Sequence, residues 1–217
     1  MSRVRVHNLA MSLDGFVAGP DQTSTAPLGV GGERLHEWVF DTAFGRAMIG
    51  ESGGSDGIDQ EFLERGVEGI GATIMGRNMF GPVRGDWPDE SWTGWWGPEP
   101  PYHHPVFVLT HHPRPPLEMA GGTTFTFVTD GVLEALERAR AAAGDLDIRI
   151  GGGATTVREF LVAGIVDHLH LAVVPVLLGS GERLLGADPR LLDGYACTEV
   201  SSSGHVAHLV FERASAG

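Results

Sequence analysis

The chain has 217 residues, a net charge of -13 from 28 acids against 15 bases, and 42% hydrophobic and 20% charged residues. That length points to one domain over residues 1–217, with room for a sizeable core. The acidic balance argues against a nonspecific nucleic-acid binder, which needs a basic footprint, and no stretch nears the roughly 20 apolar residues of a membrane helix.

In chain order, VRVHNLAMSL (4–13) reads as a β-rich opening that ends at the turn DGFVAGPD (14–21). GERLHEWVFDTAFGRAMI (32–49) spaces Leu35, Trp38, Val39, Ala43 and Phe44 as a helix does. IDQEFLERGVEG (58–69) predicts a short helix stopped at Gly69, and ATIMG (72–76) a short buried strand. Residues 84–105 hold five prolines and four of the five tryptophans and read as neither helix nor strand. A loop that long is more often functional than incidental. VFVLT (106–110) and TFTFVTD (124–130) are strands, and GVLEALERARAAAG (131–144) is the clearest helix, with one apolar stripe. DIRIG (147–151) is a strand and ATTVREFLVAG (154–164) a helix. VDHLHLAVVPVLLG (166–179) reads as a long strand in which Pro175 marks a bulge or edge. ACTEVSSSGHVAHLVFER (196–213) closes the chain as a hairpin about Ser203 and Gly204. This order predicts an α/β fold: a mainly parallel sheet, helices on both faces and an antiparallel edge.

All 15 bases are arginine, so no lysine is available as Schiff base, general base or phosphate-loop cation. Cys197 is alone, so no internal disulfide can form, and MSRVRVHNLA has no apolar secretory core. Both point to the cytoplasm.

Three strand ends could carry chemistry. RIGGGATTVREFL (149–161) sets three glycines between strand and helix, where bare backbone N–H groups can cradle a phosphate. A plain strand-to-helix turn would use glycine too. The spacing is not the G-x-G-x-x-G of a Rossmann unit, and no matching acid follows about 20 positions on. ATIMGRNMFG (72–81) ends a strand on Gly76 and Arg77, and Arg77 alone could be a solvated surface residue. VFVLTHHPR (106–114) ends in polar and basic residues. His103, His104, His111 and His112 lie close in sequence, but adjacent histidines point apart and no Cys or carboxylate has zinc spacing with them. No metal is expected there. Ligands of open α/β sheets bind at the carboxyl ends of strands, so the three loops together suit an anionic ligand.

SLDGFVAG (12–19), IMGRNMFG (74–81), VFVLTHHPR and RIGGGATTVREFL, in that order, resemble the dihydrofolate reductase superfamily. VDHLHLAVVPVLLGSGERLL (166–185) is similar to the branch holding the reductase domain of the riboflavin-biosynthesis deaminase-reductase. The resemblance spans nearly the whole chain and implies a dihydrofolate reductase-like three-layer α/β sandwich with an antiparallel C-terminal hairpin. It also implies an NADPH site. Gly76, Arg77 and Asn78 would approach the cofactor phosphates, and Thr110 and His111 the 2′-phosphate, with Arg114 assisting. Gly151, Gly152, Gly153 and Ala154 would wrap the pyrophosphate, with Thr155 and Thr156 at the helix start. Ala10, Val17, Ala18 and Gly19 would face the nicotinamide and ribose.

The implied activity is reduction of a small conjugated heterocycle of pterin or aminopyrimidine type, as in dihydrofolate reductase and 5-amino-6-(5-phosphoribosylamino)uracil reductase. A cofactor-binding sensor or resistance protein without turnover, and a flavin or deazaflavin reductase, stand as alternatives. A homodimer paired through the C-terminal sheet is implied too, since HLHLAVVPVLL (168–178) is apolar enough to need cover on both faces.

On the substrate side, dihydrofolate reductase carries one carboxylate on its first long helix. By spacing ahead of Gly76 and Arg77 the candidates here are Asp59 and Glu61, whose other reading is helix-start acids favoured by the helix dipole. Asp14 matches the acid of the family's S-x-D-G motif and either touches substrate or shapes the turn. A water held by Asp14 or Asp59 is the expected proton source. Trp87, Trp92, Trp95 and Trp96 could form a lid over a flat ring, pack on the sheet, or meet a second subunit. No H-x-E with C-x-x-C is present, so no deaminase zinc site is expected.

Overall fold

A computed structural model of the protein describes residues 2–186 and 188–214. In chain order its elements are β1 (Val4–Ser12), β2 (Phe16–Ala18), α1 (Glu37–Phe40), α2 (Ala43–Met48), α3 (Ile58–Arg65), β3 (Ile70–Gly76), α4 (Arg77–Phe80), β4 (Pro105–Leu109) and β5 (Leu117–Glu118). Then follow β6 (Thr124–Val128), α5 (Gly131–Ala143), β7 (Asp147–Ile150), α6 (Ala154–Val162), β8 (His168–Val174), β9 (Glu182–Arg183), β10 (Tyr195–Ser202) and β11 (Ala207–Arg213). Contacts sort the chain into two compact units, Met1–Val6 with Gly69–Val166, and His7–Glu68 with Asp167–Gly217.

The first unit is built on parallel strands. The start of β1 pairs with β7, β7 with β3, β3 with β4 and β4 with β6, all parallel, and the short β5 closes the edge antiparallel. β3 is buried from Gly71 to Gly76, as a strand covered on both faces must be. On one face α5 packs against β3 and β4, burying Ala135, Leu136 and Ala139. On the other face Met75, Val106, Val108, Phe125 and Phe127 form an aromatic and aliphatic core with Phe80 of α4.

The loop 84–105 covers that second face. Trp87, Trp92, Trp96 and Tyr102 pack on the core, with Trp87 5.4 Å from Phe127 and Trp96 stacked 6.0 Å from Phe125. Trp87 Nε1 donates to the His112 carbonyl and Trp92 Nε1 to that of Phe80, so the indole N–H groups are satisfied where the rings are covered. Of the three readings left open for the tryptophans, packing on the sheet is the one observed for these residues. Trp95 contacts Trp92, edge-on at 4.7 Å. The loop thus supplies a layer that regular structure supplies elsewhere, because large rings bury area without needing a helical period.

The second unit is antiparallel where β8 pairs β11 and β11 pairs β10 about the expected hairpin, with a bulge at Cys197/Glu199. The rest of β1 is hydrogen-bonded to β8. β8 stops at Val174, one residue before Pro175, which lacks the N–H a further ladder bond needs. The single helix read at 32–49 is instead a 3-10 turn (Gly32–Leu35), α1 and α2, with Thr42 Oγ1 capping α2 by accepting from the Gly45 N–H. Thr42 favours a new start there because its side chain offers the backbone a cap. The packing is nonetheless as the spacing predicts: Leu35, Trp38, Val39 and Phe44 join Ala10, Leu63, Ala172 and Val174 in one core. α3 ends at Gly66 rather than Gly69, and buries Asp59, Phe62 and Leu63 on one face.

Candidate active site

In the first unit β7, β3 and β4 are parallel neighbours, so the residues that follow them emerge along one edge. Gly151–Gly153 follow β7, Arg77 follows β3, and Thr110 and His111 follow β4. The structure therefore brings together the three loops that the sequence suggested. The glycines differ in what they do. A Cβ on Gly76 would meet Thr156 Oγ1, so glycine there lets the start of α6 close on the end of β3. Gly152 (φ 124°) and Gly153 (φ 77°) sit in backbone that side chains disfavour, yet a Cβ at either would meet nothing nearer than 3.8 Å. The backbone there is bare and the space beside it open. Gly153 begins α6 without any side-chain cap, leaving the first amides of Ala154, Thr155 and Thr156 without one.

Arg77 lies with its guanidinium 3.8 Å over the Trp87 ring, and its buried Nε and Nη2 have no hydrogen-bond partner. Burial, with Arg84 and Arg114 nearby, lowers its pKa against the pull of Asp86. Buried guanidinium nitrogens without an acceptor are costly unless a ligand completes them. Asn78 and His111 are exposed, and Thr110 is buried with its Oγ1 accepting from the His112 N–H.

Arg114 Nη1 and Nη2 donate at 2.7 Å to the carbonyls of Trp92 and Glu90, while its buried Nε has no hydrogen-bond partner. It staples the tryptophan loop. The other loop histidines are engaged separately: His103 with the Gly121 carbonyl, His104 with Thr73 Oγ1, and His112 with Asp86. Burial, helped by Arg149, lowers the His104 pKa to about 4, so that ring is neutral near pH 7.

Ala10, Val17, Ala18 and Gly19 belong to the second unit. Ala10 is in its core, and Gly19 is a backbone crossing, since a Cβ there would meet the Val30 carbonyl. Asp14 is a clamp. Ser12 Oγ donates to it at 2.6 Å, and the Leu178 and Gly179 amides at 3.2 and 2.7 Å. Chiefly through the Ser12 hydrogen bond its pKa falls to about 2. The S-x-D-G and P-V-L-L-G stretches are thus partners: one carboxylate holds the second loop to the first turn.

Asp59 sits at the start of α3, its side chain only 10% exposed, and Oδ1 accepts from His208 Nε2 at 3.0 Å. Sequence reasoning missed what lies beyond it. His208 Nδ1 is 3.0 Å from His170 Nε2, and His170 Nδ1 accepts the Asn8 backbone N–H at 3.0 Å. Phe62 stacks on both rings, and Trp38 meets His208 edge-on. Beside this runs a second chain. His7 Nε2 meets the Phe62 carbonyl at 3.1 Å, His7 Nδ1 meets His168 Nε2 at 2.9 Å, and His168 Nδ1 meets Glu212 at 2.8 Å. The available signal was His168-x-His170, whose spacing of two puts both rings on one face of a strand.

Among the described residues no group of histidine, cysteine, aspartate or glutamate could hold a metal ion, and no helix is long and apolar enough to cross a membrane.

Compared with known proteins, the chain matches the model of the RibD C-terminal domain family over residues 5–204. It is 36% identical to the uncharacterized protein YyaP of Bacillus subtilis (strain 168) over 58 residues, 27% of this chain and 30% of that one. A protein of Shewanella sp. PV-4 provisionally assigned to riboflavin biosynthesis superposes with a TM-score of 0.59 at 20% identity, over 98% of this chain and 99% of that one. The Thermotoga maritima diaminohydroxyphosphoribosylaminopyrimidine deaminase/5-amino-6-(5-phosphoribosylamino)uracil reductase gives 0.56 at 15% identity, over 98% of this chain but 56% of that longer one. A pyrimidine reductase-like protein of Corynebacterium diphtheriae gives 0.55 at 15% identity, over 99% and 93%. These structural likenesses establish a shared fold, with its large, mostly parallel sheet and antiparallel strands.

Proposed function

We propose that this chain, which belongs to the RibD C-terminal domain family, is an NADPH-dependent reductase of a flat, conjugated heterocycle of pterin or aminopyrimidine type. The observation that carries the reading is the strand-end edge of the first unit. There an unpartnered Arg77 guanidinium, open glycine backbone at 152 and 153, and an uncapped helix start lie at the ends of neighbouring parallel strands. Those donors suit phosphates: oriented N–H groups from bare backbone, and one forked cation. Gly76, Arg77 and Asn78 with Gly151–Thr156 would hold the cofactor's phosphates, and Thr110 with His111 would contribute at the adenosine end. Arg114 drops out of the set because its guanidinium already binds two carbonyls. Ala10, Val17, Ala18 and Gly19 remain in the proposal as main-chain contacts to the nicotinamide side.

The hydride is the cofactor's contribution. The chain's own part is to hold the heterocycle and manage the proton that a reduced C=N nitrogen takes up. Of the two acids, Asp14 is held ionised by three donors and serves as a clamp. Asp59 offers Oδ2, which takes none of the protein hydrogen bonds described. A carboxylate so placed can accept from the ring N–H and amino groups of an aminopyrimidine and orient a proton-donating water.

The names of the Thermotoga and Corynebacterium proteins support the same substrate class. A cytoplasmic homodimer goes with it. β10 ends its sheet and leaves Val200 exposed, a strand edge that a second copy could cover. A monomer mass in light scattering would contradict the dimer.

Trp87 lies under Arg77, so NADPH should quench tryptophan fluorescence and raise the melting temperature; no response at millimolar cofactor would sink the reading. The Gly152→Val variant should bind NADPH far more weakly while still folding. If it unfolds with no separable cofactor defect, the glycines serve only a turn.

A further inference from the structure

We propose that His208, fixed by His170, is a positioning residue that holds Asp59 as an uncompensated carboxylate with one oxygen facing outward for the substrate. The proposal rests on the reductase reading above for its purpose, but its geometry stands apart from that reading.

The relay has a direction set by its far end. The Asn8 backbone N–H can only donate, so His170 Nδ1 must be the bare nitrogen of that ring. A neutral His170 then carries its proton on Nε2 and donates it to His208 Nδ1. His208 in turn carries its proton on Nε2 and donates to Asp59 Oδ1. Each link follows from the one before, and neither ring has freedom to choose its tautomer. A proton added to His208 Nδ1 would meet the His170 N–H head-on at 3.0 Å. The relay therefore bars His208 from becoming an imidazolium, and Asp59 receives a neutral donor instead of a counter-ion. Burial acts the same way, lowering the pKa of both rings.

The other charged groups around this chain do not supply the missing cation. On α3, Arg65 is held by both carboxylate oxygens of Glu199 from β10, at 3.1 and 2.7 Å, with Glu61 also acting on it. On β8, His168 faces Glu212 of β11 and His7 of β1. The histidine chain that reaches Asp59 thus ends on a neutral donor, and the second chain runs separately to Glu212 and the Phe62 carbonyl. The rings are rigid because Phe62 stacks at 4.1 and 4.5 Å and Trp38 closes the edge of His208. A carboxylate pinned through one oxygen by a fixed ring keeps the other in a fixed direction. That suits an amino-heterocycle, whose adjacent N–H groups need an aimed acceptor.

The test uses the full chain and begins without cofactor or substrate. In nitrogen-15 spectra of the imidazoles, His170 and His208 should both show the neutral Nε2–H tautomer from about pH 5 to 8, the range in which free histidine titrates. An Nδ1–H tautomer or an imidazolium on either ring near pH 6 would overturn the proposal. In the His208→Phe variant, which keeps a ring on Phe62, the Asp59 carboxyl carbon resonance at pH 7 should move from its wild-type position, since its Oδ1 has lost its donor. The His208→Gln variant, which restores an N–H, should return it most of the way. A folded His208→Phe protein with an unmoved Asp59 carboxyl resonance overturns the positioning role. Should that variant fail to fold, the wild-type tautomers and the Gln variant still decide it. Finally, 2,4-diaminopyrimidine as probe should shift the Asp59 carboxyl resonance at millimolar concentration, and no shift overturns the outward-facing role. Failure of NADPH to bind, with the tautomers as described, would overturn the reductase reading and leave the relay intact.

Discussion

At the strand ends of the first unit, Arg77 lies over Trp87 with two buried guanidinium nitrogens unbonded. Under α3 in the second unit, every ring nitrogen of His7, His168, His170 and His208 has a partner. Both regions bury cationic or potentially cationic groups, and both surround them with aromatic rings. The difference lies in who completes the hydrogen bonds. Among the four histidines under α3 the protein completes its own, so the energy of those bonds goes into the fold. In the first, acceptors are left to come from outside, which is what a binding edge requires. Deleting a polar side chain should therefore cost stability in one region and affinity in the other.

The largest effect is expected from His7→Phe. It takes from His168 Nε2 the partner it has in His7 and from the Phe62 carbonyl one of two hydrogen bonds, the other coming from the Gly66 N–H, and a buried polar atom that loses its partner costs about 1–3 kcal/mol. Urea denaturation should show a loss of about 1–3 kcal/mol, and a loss within error of zero would erase the contrast. Arg77→Met should do the reverse. NADPH should bind about 10- to 100-fold more weakly, as expected when a charged hydrogen-bond donor is lost, while the melting temperature holds or rises because two buried nitrogens without acceptors are gone. Unchanged affinity with reduced stability would make Arg77 a structural residue like the histidines.

Arg114→Met sharpens the boundary between the two behaviours within the first unit. It releases the Trp92 and Glu90 carbonyls and should destabilise by about 1–3 kcal/mol, with cofactor affinity near that of wild type. A cofactor defect as large as that of Arg77→Met would restore Arg114 to the site. The smallest effect belongs to Asp14→Asn. The Asp14 pKa is depressed, so its contribution is complete above the ordinary carboxylate value of 3.8 and is lost as pH falls through about 2. Thermal melts of wild type and variant should differ at neutral pH and converge toward pH 2; a gap that persists there means the clamp does not act through charge.

How far the sequence carried differs by region. The strands and helices from 70 to 162 stand close to where periodicity and turn residues place them, because each is set by neighbours a few positions away. Gly152 and Gly153 were legible as unusual since three glycines in a row are costly to order without a reason. The tryptophan loop was legible as important but not as core, since nothing local says which side of a ring will be covered. The loop-stapling contacts of Arg114 were not legible, because the carbonyls it binds lie 22 and 24 residues away.

The histidine chains were the least legible part. His7 meets His168 across 161 residues, and Asp59 meets His208 across 149. A strand spacing of two announces only that His168 and His170 share a face. The sequence by itself determined the element order, the glycine-bare strand end and the family to which these motifs conform, all properties of short segments. Only the tertiary structure decided which carboxylate clamps a loop and which accepts from a buried histidine, and which guanidinium nitrogens lie buried without an acceptor. Hydrogen bonds are short-ranged and directional, so their partners are chosen by how distant segments pack.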